Sequence, residues 1–139
     1  MNPEDTRKTL NILVYSSNRE VRAHVITALG RRPAADLPEV AFQETATEPA
    51  TVAAMDAGGF DLAILDGEAY PGGMGMARNL KDEIFECPPI LVLTGRPQDA
   101  WLATWSRADA VVPRPLSPFD LARASAELLR RRIASAPSA

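Results

Sequence analysis

Short apolar runs punctuate the chain, and between them apolar residues recur at helical spacing. Leu10, Ile12, Leu13, Val14 and Tyr15 make the first run, which stops at Ser16-Ser17-Asn18. Val40 and Phe42 mark a short second run with weak alternation, and Phe60 leads through Asp61 into Leu62 to Leu65, which ends on Asp66. Ile90 to Leu93 ends on Thr94, and Ala110-Val111-Val112 runs into Pro113-Arg114-Pro115. Runs this short and nearly continuous predict strands buried on both faces, as in a parallel sheet.

The intervening stretches predict helices. Asn18 is placed to cap a helix whose inner side carries Val21, Val25, Ile26 and Leu29 and which stops at Gly30. Pro49 suits the first turn of a helix over Ala50 to Ala57, closed by Gly58-Gly59. After a glycine-rich loop from Gly67 to Gly75, Met76, Leu80 and Ile84 define a third helix with Arg78, Lys81 and Asp82 outward. A short fourth helix is predicted over Pro97 to Ser106, with Trp101 and Trp105 one turn apart. Ser117-Pro118-Phe119-Asp120 opens the last helix in a near capping box. It buries Leu121, Ala124, Leu128 and Leu129 and ends on Arg130-Arg131-Arg132, a solvated helix end that complements the dipole. Five strand-then-helix units with right-handed crossovers predict a doubly wound α/β sandwich of three layers around a five-stranded parallel sheet. The expected organisation is a flexible segment over residues 1–9, one domain over 10–133 and a tail over 134–139.

Composition narrows the function without choosing it. With 46% hydrophobic and 24% charged residues the chain reads as a soluble globular protein. A formal charge of -3 argues against a nucleic-acid partner, because that binding rests on clustered positive charge. Cys87 is the only cysteine, which excludes an internal disulfide or a cysteine zinc site, and beside Pro88 it is expected to lack any basic neighbour that would lower its pKa and to be an inert packing residue. His24 has no second ligand near it in sequence and is assigned no chemistry. With no apolar segment long enough to span a bilayer, membrane insertion is not expected and the cytoplasm is the expected location.

Chemistry should gather where the strands end. In open parallel sheets sites form outside the carboxyl ends of the strands. Ser16 and Ser17 follow the first strand, Asp66 the third, Thr94 the fourth and Arg114 the fifth, and these polar residues should converge on one edge. The hydroxyls of Ser16 and Ser17 are expected to cap the first helix. For Arg114-Pro115 the base rate favours a trans peptide, and the isomer stays open.

In this order the motifs resemble the receiver domain of two-component response regulators, from Leu10 to Arg132. The resemblance is carried by Ile12-Leu13-Val14 before a polar turn, Phe60-Asp61-Leu62 leading to Leu65-Asp66, Pro71-Gly72 and Gly75 before a helix, Pro89-Ile90 into Leu93-Thr94, and Arg114-Pro115. It implies a flavodoxin-like (βα)5 fold, with Asp66 at the position that accepts a phosphoryl group from a sensor histidine kinase. It also puts Thr94 at the switch hydroxyl, although with the relay partner missing its expected role is that of a strand-end hydrogen bonder. The resemblance further implies that the Arg114-Pro115 bond is often cis. The departures are as informative. Ser16 and Ser17 stand where receivers carry two acids for Mg²⁺, and neutral hydroxyls in place of two carboxylates leave at most a weak Mg²⁺ site at Asp66. Glu68 can help through its backbone and side chain. Arg114 replaces the family's lysine and can form a bidentate pair with Asp66 where the metal would sit. Val111 falls at the family's switch aromatic.

The expected function is therefore that of a stand-alone, atypical receiver, not an enzyme, acting by protein-protein interaction with impaired or absent phosphorylation. Its partner surface would be the fourth helix, fifth strand and fifth helix, with Trp101, Trp105 and Val111 as interface candidates, and a homodimer is a further arrangement open to it. The alternative is a phosphorylatable single-domain regulator that takes phosphate on Asp66 from a histidine kinase. A flavin carrier or enzyme on the same fold is the third reading, weakened because no nucleophile and base are paired.

Overall fold

The computed structural model describes residues 9–68, 73–84, 86–95 and 107–135. In chain order these form β1 (Leu10–Tyr15), α1 (Arg19–Leu29), β2 (Val40–Thr45), α2 (Glu48–Ala57), β3 (Leu62–Asp66), α3 (Gly73–Glu83), β4 (Ile90–Thr94), β5 (Ala110–Pro113) and α4 (Pro118–Ser135). The strands make one sheet in the order β2-β1-β3-β4-β5, with every neighbouring pair parallel. This is the flavodoxin-like, doubly wound arrangement expected from the sequence. The helix expected over Pro97 to Ser106, with Trp101 and Trp105, lies outside the described residues.

Strand alternation divides the core in two. Ile12 and Val14 of β1, Leu62 and Ile64 of β3, and Leu91 and Leu93 of β4 pack with Val25 and Leu29 of α1 and Leu121, Leu128 and Leu129 of α4. Leu13 and Tyr15, Ala63 and Leu65, and Ile90 and Val92 pack on the other side with Met55 of α2 and Met76, Ala77 and Leu80 of α3. The three central strands are thus buried on both faces, which is why their sequence is apolar at consecutive positions. β2 lies at an edge and is half-exposed, so its alternation is weak. At the opposite edge β5 tolerates Pro113, which has no N–H to give a ladder.

The helix ends follow the sequence signals in most places. Asn18 Oδ1 accepts the Glu20 N–H at 2.8 Å, and Thr47 Oγ1 accepts that of Ala50 at the start of α2. Gly30 ends α1 at φ 63°, a value a side chain would strain, and its N–H returns to the Ile26 carbonyl. Ser117 Oγ accepts the Asp120 N–H at the start of α4, and that helix continues through Ala134 and Ser135, residues the sequence assigned to the tail.

Two expectations are corrected. α3 begins at Gly73 rather than after Gly75, because helical packing on the sheet overrides the low propensity of glycine. Lys81 is not outward: only 15% of its side chain is exposed, and Nζ lies 2.6 Å from Asp109 Oδ2, a partner supplied by the turn before β5. Arg114-Pro115, which the base rate and the resemblance to receivers left open between trans and cis, is cis.

The arginines at the end of α4 are engaged in ion pairs. Arg130 grips both oxygens of Asp36 at 2.8 Å, Arg131 lies 3.6 Å from Glu127, and Arg132 lies 3.8 Å from Asp61. The hydrogen bonds from Arg130 lower the Asp36 carboxyl from 3.8 to about 2. The folded value is the depressed one, so the stabilisation is complete above 3.8 and is lost as pH falls through about 2. A carboxyl-detected NMR titration should find Asp36 still ionised at pH 3, and loss of that depression in Arg130→Gln.

Candidate functional site

The carboxyl ends of β1, β3, β4 and β5 bring the expected residues to one edge. Ser16 and Asp66 continue the alternation that turns Val14 and Ile64 toward α1 and α4, so both reach the same side of the sheet. They meet there: Ser16 Oγ donates to Asp66 Oδ2 at 2.8 Å. The Glu68 backbone N–H donates to Asp66 Oδ1 at 2.9 Å, and Arg114 Nη2 reaches the same oxygen at 2.8 Å. Asp66 is 3% exposed, Ser16 is fully buried, and the Arg114 side chain is 30% exposed. The carboxylate thus sits at the protein-water boundary with both oxygens occupied, by a hydroxyl on one and by a guanidinium and an amide on the other.

The Arg114 pairing expected from the sequence forms, but by one nitrogen rather than as a bidentate fork. The Glu68 N–H already takes part of the Oδ1 coordination, and the Ser16 hydroxyl takes Oδ2. Arg114 Nε is left buried without a hydrogen-bond partner. The Arg114 backbone N–H continues the β4-β5 ladder to the Thr94 carbonyl at 2.9 Å, which fixes the root of the side chain.

Ser16 has a different part from the helix cap expected of it. Asn18 caps α1, while Ser16 Oγ accepts the Asn18 N–H at 3.0 Å and gives its proton to Asp66. Its direction is set on both sides. Ser17 is exposed and takes no part in this set. The Glu68 side chain leans over Gly95, where an added Cβ would collide with its carboxylate, and does not join Asp66, so only the expected backbone contribution is present. Thr94, expected to be a strand-end hydrogen bonder, is fully buried and its hydroxyl has no partner. In the alternation of β4 it falls with Ile90 and Val92, on the side away from the Asp66 cluster. Val111 is partly buried and pairs in register with Val92.

Some contributors were not singled out from the sequence. Arg22 Nη1 donates to the Ser16 carbonyl at 2.6 Å, and Nε of the same side chain pairs with Glu44. Its place one turn after Asn18 was the available signal, because a side chain there points back over the helix start. Tyr15, next to Ser16, is buried, and its hydroxyl is pushed up from the usual 10.0 by burial, then by the charges of Glu48 and Asp66. Away from the site, burial also raises the Cys87 thiol, although Lys81 and Arg132 lie close enough to oppose the shift. The sequence expectation of no basic neighbour is corrected, and the unreactive thiol it pointed to rests on burial instead.

With this geometry in hand, relatives are informative. The chain is 58% identical over 127 residues, 91% of its length and 96% of theirs, to proteins named "Uncharacterized response regulatory protein" in two strains of Mycobacterium tuberculosis, CDC 1551 / Oshkosh and H37Rv. No family model matches the chain. Among solved structures, the signal receiver domain of an HD domain-containing protein from Pseudomonas fluorescens Pf-5 superposes with a TM-score of 0.76 at 15% identity, covering 96% of each chain. A CheY-like receiver domain protein from Methanospirillum hungatei JF-1 superposes with a TM-score of 0.74 at 18% identity, over 93% of this chain and all of that one. The fold is therefore that of receiver domains. By its identity to the mycobacterial proteins, the chain belongs to the response regulator family.

Receivers of this family hold Mg²⁺ beside the aspartate, and the donors here can be compared with what that ion takes. Magnesium binds oxygen ligands in near-octahedral geometry and relies on carboxylates. Among the described residues no three of the His, Cys, Asp and Glu side chains come together in a set that could hold a metal ion. Ser16 directs its proton, not a lone pair, at Asp66, and a guanidinium already sits on Oδ1. These residues do not fit the ion.

Proposed function

We propose that this chain is an atypical receiver that signals by binding another protein, with Arg114 as the standing counter-ion of Asp66 and with little or no Mg²⁺-dependent phosphorylation. The observation that carries the reading is the double occupation of the Asp66 carboxylate by Ser16 and Arg114. A phosphoryl acceptor needs a free oxygen and a means of stabilising the charge on the incoming group, which in phosphoryl transfer is largely positioning and electrostatics. Here the nearest cation neutralises the acceptor itself. On this reading the protein is a cytoplasmic, non-enzymatic module. Its partner face comprises β5 with Val111, α4 and the segment between β4 and β5 that carries Trp101 and Trp105. Among the described residues no helix is long and apolar enough to cross a membrane.

One observation favours the alternative, phosphorylation of Asp66 by a histidine kinase: the buried Thr94 hydroxyl has no partner to hold it in place. Incubation with a small-molecule phosphodonor and Mg²⁺, followed by intact-mass measurement, decides between them. The expected spectrum shows no phosphoryl adduct. A stoichiometric adduct that disappears in Asp66→Ala would establish the alternative.

A further inference from the structure

A string of hydrogen bonds runs across the carboxyl edge of the sheet, from its outermost strand β2 to the arginine that follows β5. Glu44, near the end of β2, accepts from Arg22 Nε at 2.9 Å, and Nη1 of the same guanidinium donates to the Ser16 carbonyl at 2.6 Å. The Ser16 hydroxyl donates to Asp66 Oδ2 at 2.8 Å, and Arg114 holds the other oxygen, Oδ1, at 2.8 Å. With the strands in the order β2-β1-β3-β4-β5, the string spans the sheet, and β4 joins it through the Thr94 carbonyl that accepts the Arg114 backbone N–H. Its middle, at Arg22, Ser16 and Asp66, is buried or nearly so, while Glu44 and Arg114 at its two ends reach solvent.

We propose that this string couples the two edges of the sheet, so that a cation drawing Glu44 away from Arg22 tightens the hold of Arg114 on Asp66. Two donors on one carboxylate share its charge, and weakening one leaves more for the other. Ser16 is aimed at Oδ2 from two sides, because the Asn18 N–H donates to its hydroxyl at 3.0 Å and Arg22 fixes its carbonyl. Arg22 is itself held between that carbonyl and Glu44. Once Glu44 is neutralised or occupied, the carbonyl alone anchors the guanidinium, and residue 16 gains freedom. Its hydroxyl then shares less of the Asp66 charge, and more falls to Arg114. Each link is felt by the next because hydrogen bonds in a low-dielectric interior polarise one another. The inference rests on Arg114 being the counter-ion of Asp66, and adds that its grip is set from the opposite edge strand.

The test reads exchange of the Arg114 guanidinium protons with solvent by NMR on the whole chain, with the backbone amide spectrum verifying the fold of each variant. In Glu44→Gln this exchange should slow at least about twofold, the lower end of couplings within one hydrogen-bonded network. Ser16→Ala removes the competing hydroxyl and should slow it further. Adding Glu44→Gln to Ser16→Ala should then change nothing, whereas an effect carried through space by the Glu44 charge alone would survive in that background. Asp66→Asn separates the two ideas. It should speed Arg114 exchange at least about tenfold, through loss of a charge-assisted hydrogen bond. If it does not, the counter-ion reading fails and the coupling with it. If it does, but Glu44→Gln leaves exchange at the wild-type rate or acts equally in the Ser16→Ala background, the coupling is overturned and the counter-ion reading stands.

Discussion

Replacing Arg114 by alanine should destabilise the protein by about 2 to 3 kcal/mol, one of the largest effects available from a residue outside the apolar core. Stranding a fully buried partner in an ion pair costs about 3 to 5 kcal/mol. Asp66 is nearly buried, but Arg114 reaches it from a position 30% exposed, and Ser16 and Glu68 still donate to the carboxylate after the arginine is gone. Those two facts move the expectation below the fully buried range. In a domain of this size the change corresponds to a fall of roughly 6 to 12 °C in melting temperature. Arg114→Lys should lose less than Arg114→Ala, since it keeps a cation within reach while giving up the planar head. The decisive comparison is a double-mutant cycle with Asp66→Asn. Once the carboxylate is uncharged, removing Arg114 should cost less than about 1 kcal/mol, and the difference is the coupling between the two. Additive effects would mean that Arg114 acts through packing alone.

That cycle addresses the part of the site most legible in the sequence. Asp66 and Arg114 each follow a short apolar run, and the parallel topology leaves the ends of β3 and β5 on one edge. The runs themselves were legible because burial on both faces demands apolar residues at consecutive positions, and the caps at Asn18 and Ser117 because they act within a few residues. What could not be read depends on distant chain segments. The orientation of Ser16 is set jointly by Asn18, Asp66 and Arg22, and a sequence pattern that offers only a turn hydroxyl suggests a cap. Lys81 lies on what its own helix would make an outward side, and becomes enclosed only because Asp109 arrives before β5. The monodentate contact of Arg114 follows from competition at Oδ1, which a list of strand ends does not contain. Thr94 was expected to find a partner, yet it points to the side of the sheet where the Asp66 cluster is not.

Restoring the two acids that receivers place after the first strand should reverse the magnesium response. In the wild type, Mg²⁺ is expected to leave the melting temperature unchanged, because a ligand stabilises the native state only as far as it binds it. In Ser16→Asp/Ser17→Asp, a carboxylate at the fully buried position 16 meets Asp66 where a hydroxyl now donates at 2.8 Å. A hydrogen bond becomes a like-charge contact, and without metal the variant should lose about 2 to 4 kcal/mol or take up a proton between the two acids. Arg114 offsets part of that repulsion, so adding Arg114→Gln should expose more of it. The same three carboxylates now supply the oxygen donors that Mg²⁺ takes. Titration with Mg²⁺ should therefore raise the melting temperature of the variant, reaching about 2.7 kcal/mol of stabilisation at a hundredfold excess over its dissociation constant. Calcium, larger and less demanding in geometry, is the control for general charge screening. If Mg²⁺ stabilises the wild type as strongly as the variant, Arg114 is not the standing counter-ion of Asp66, because a cation that binds there must displace it. If the variant is destabilised but indifferent to Mg²⁺, the charge at position 16 is confirmed as costly while the missing metal site lies deeper than two side chains.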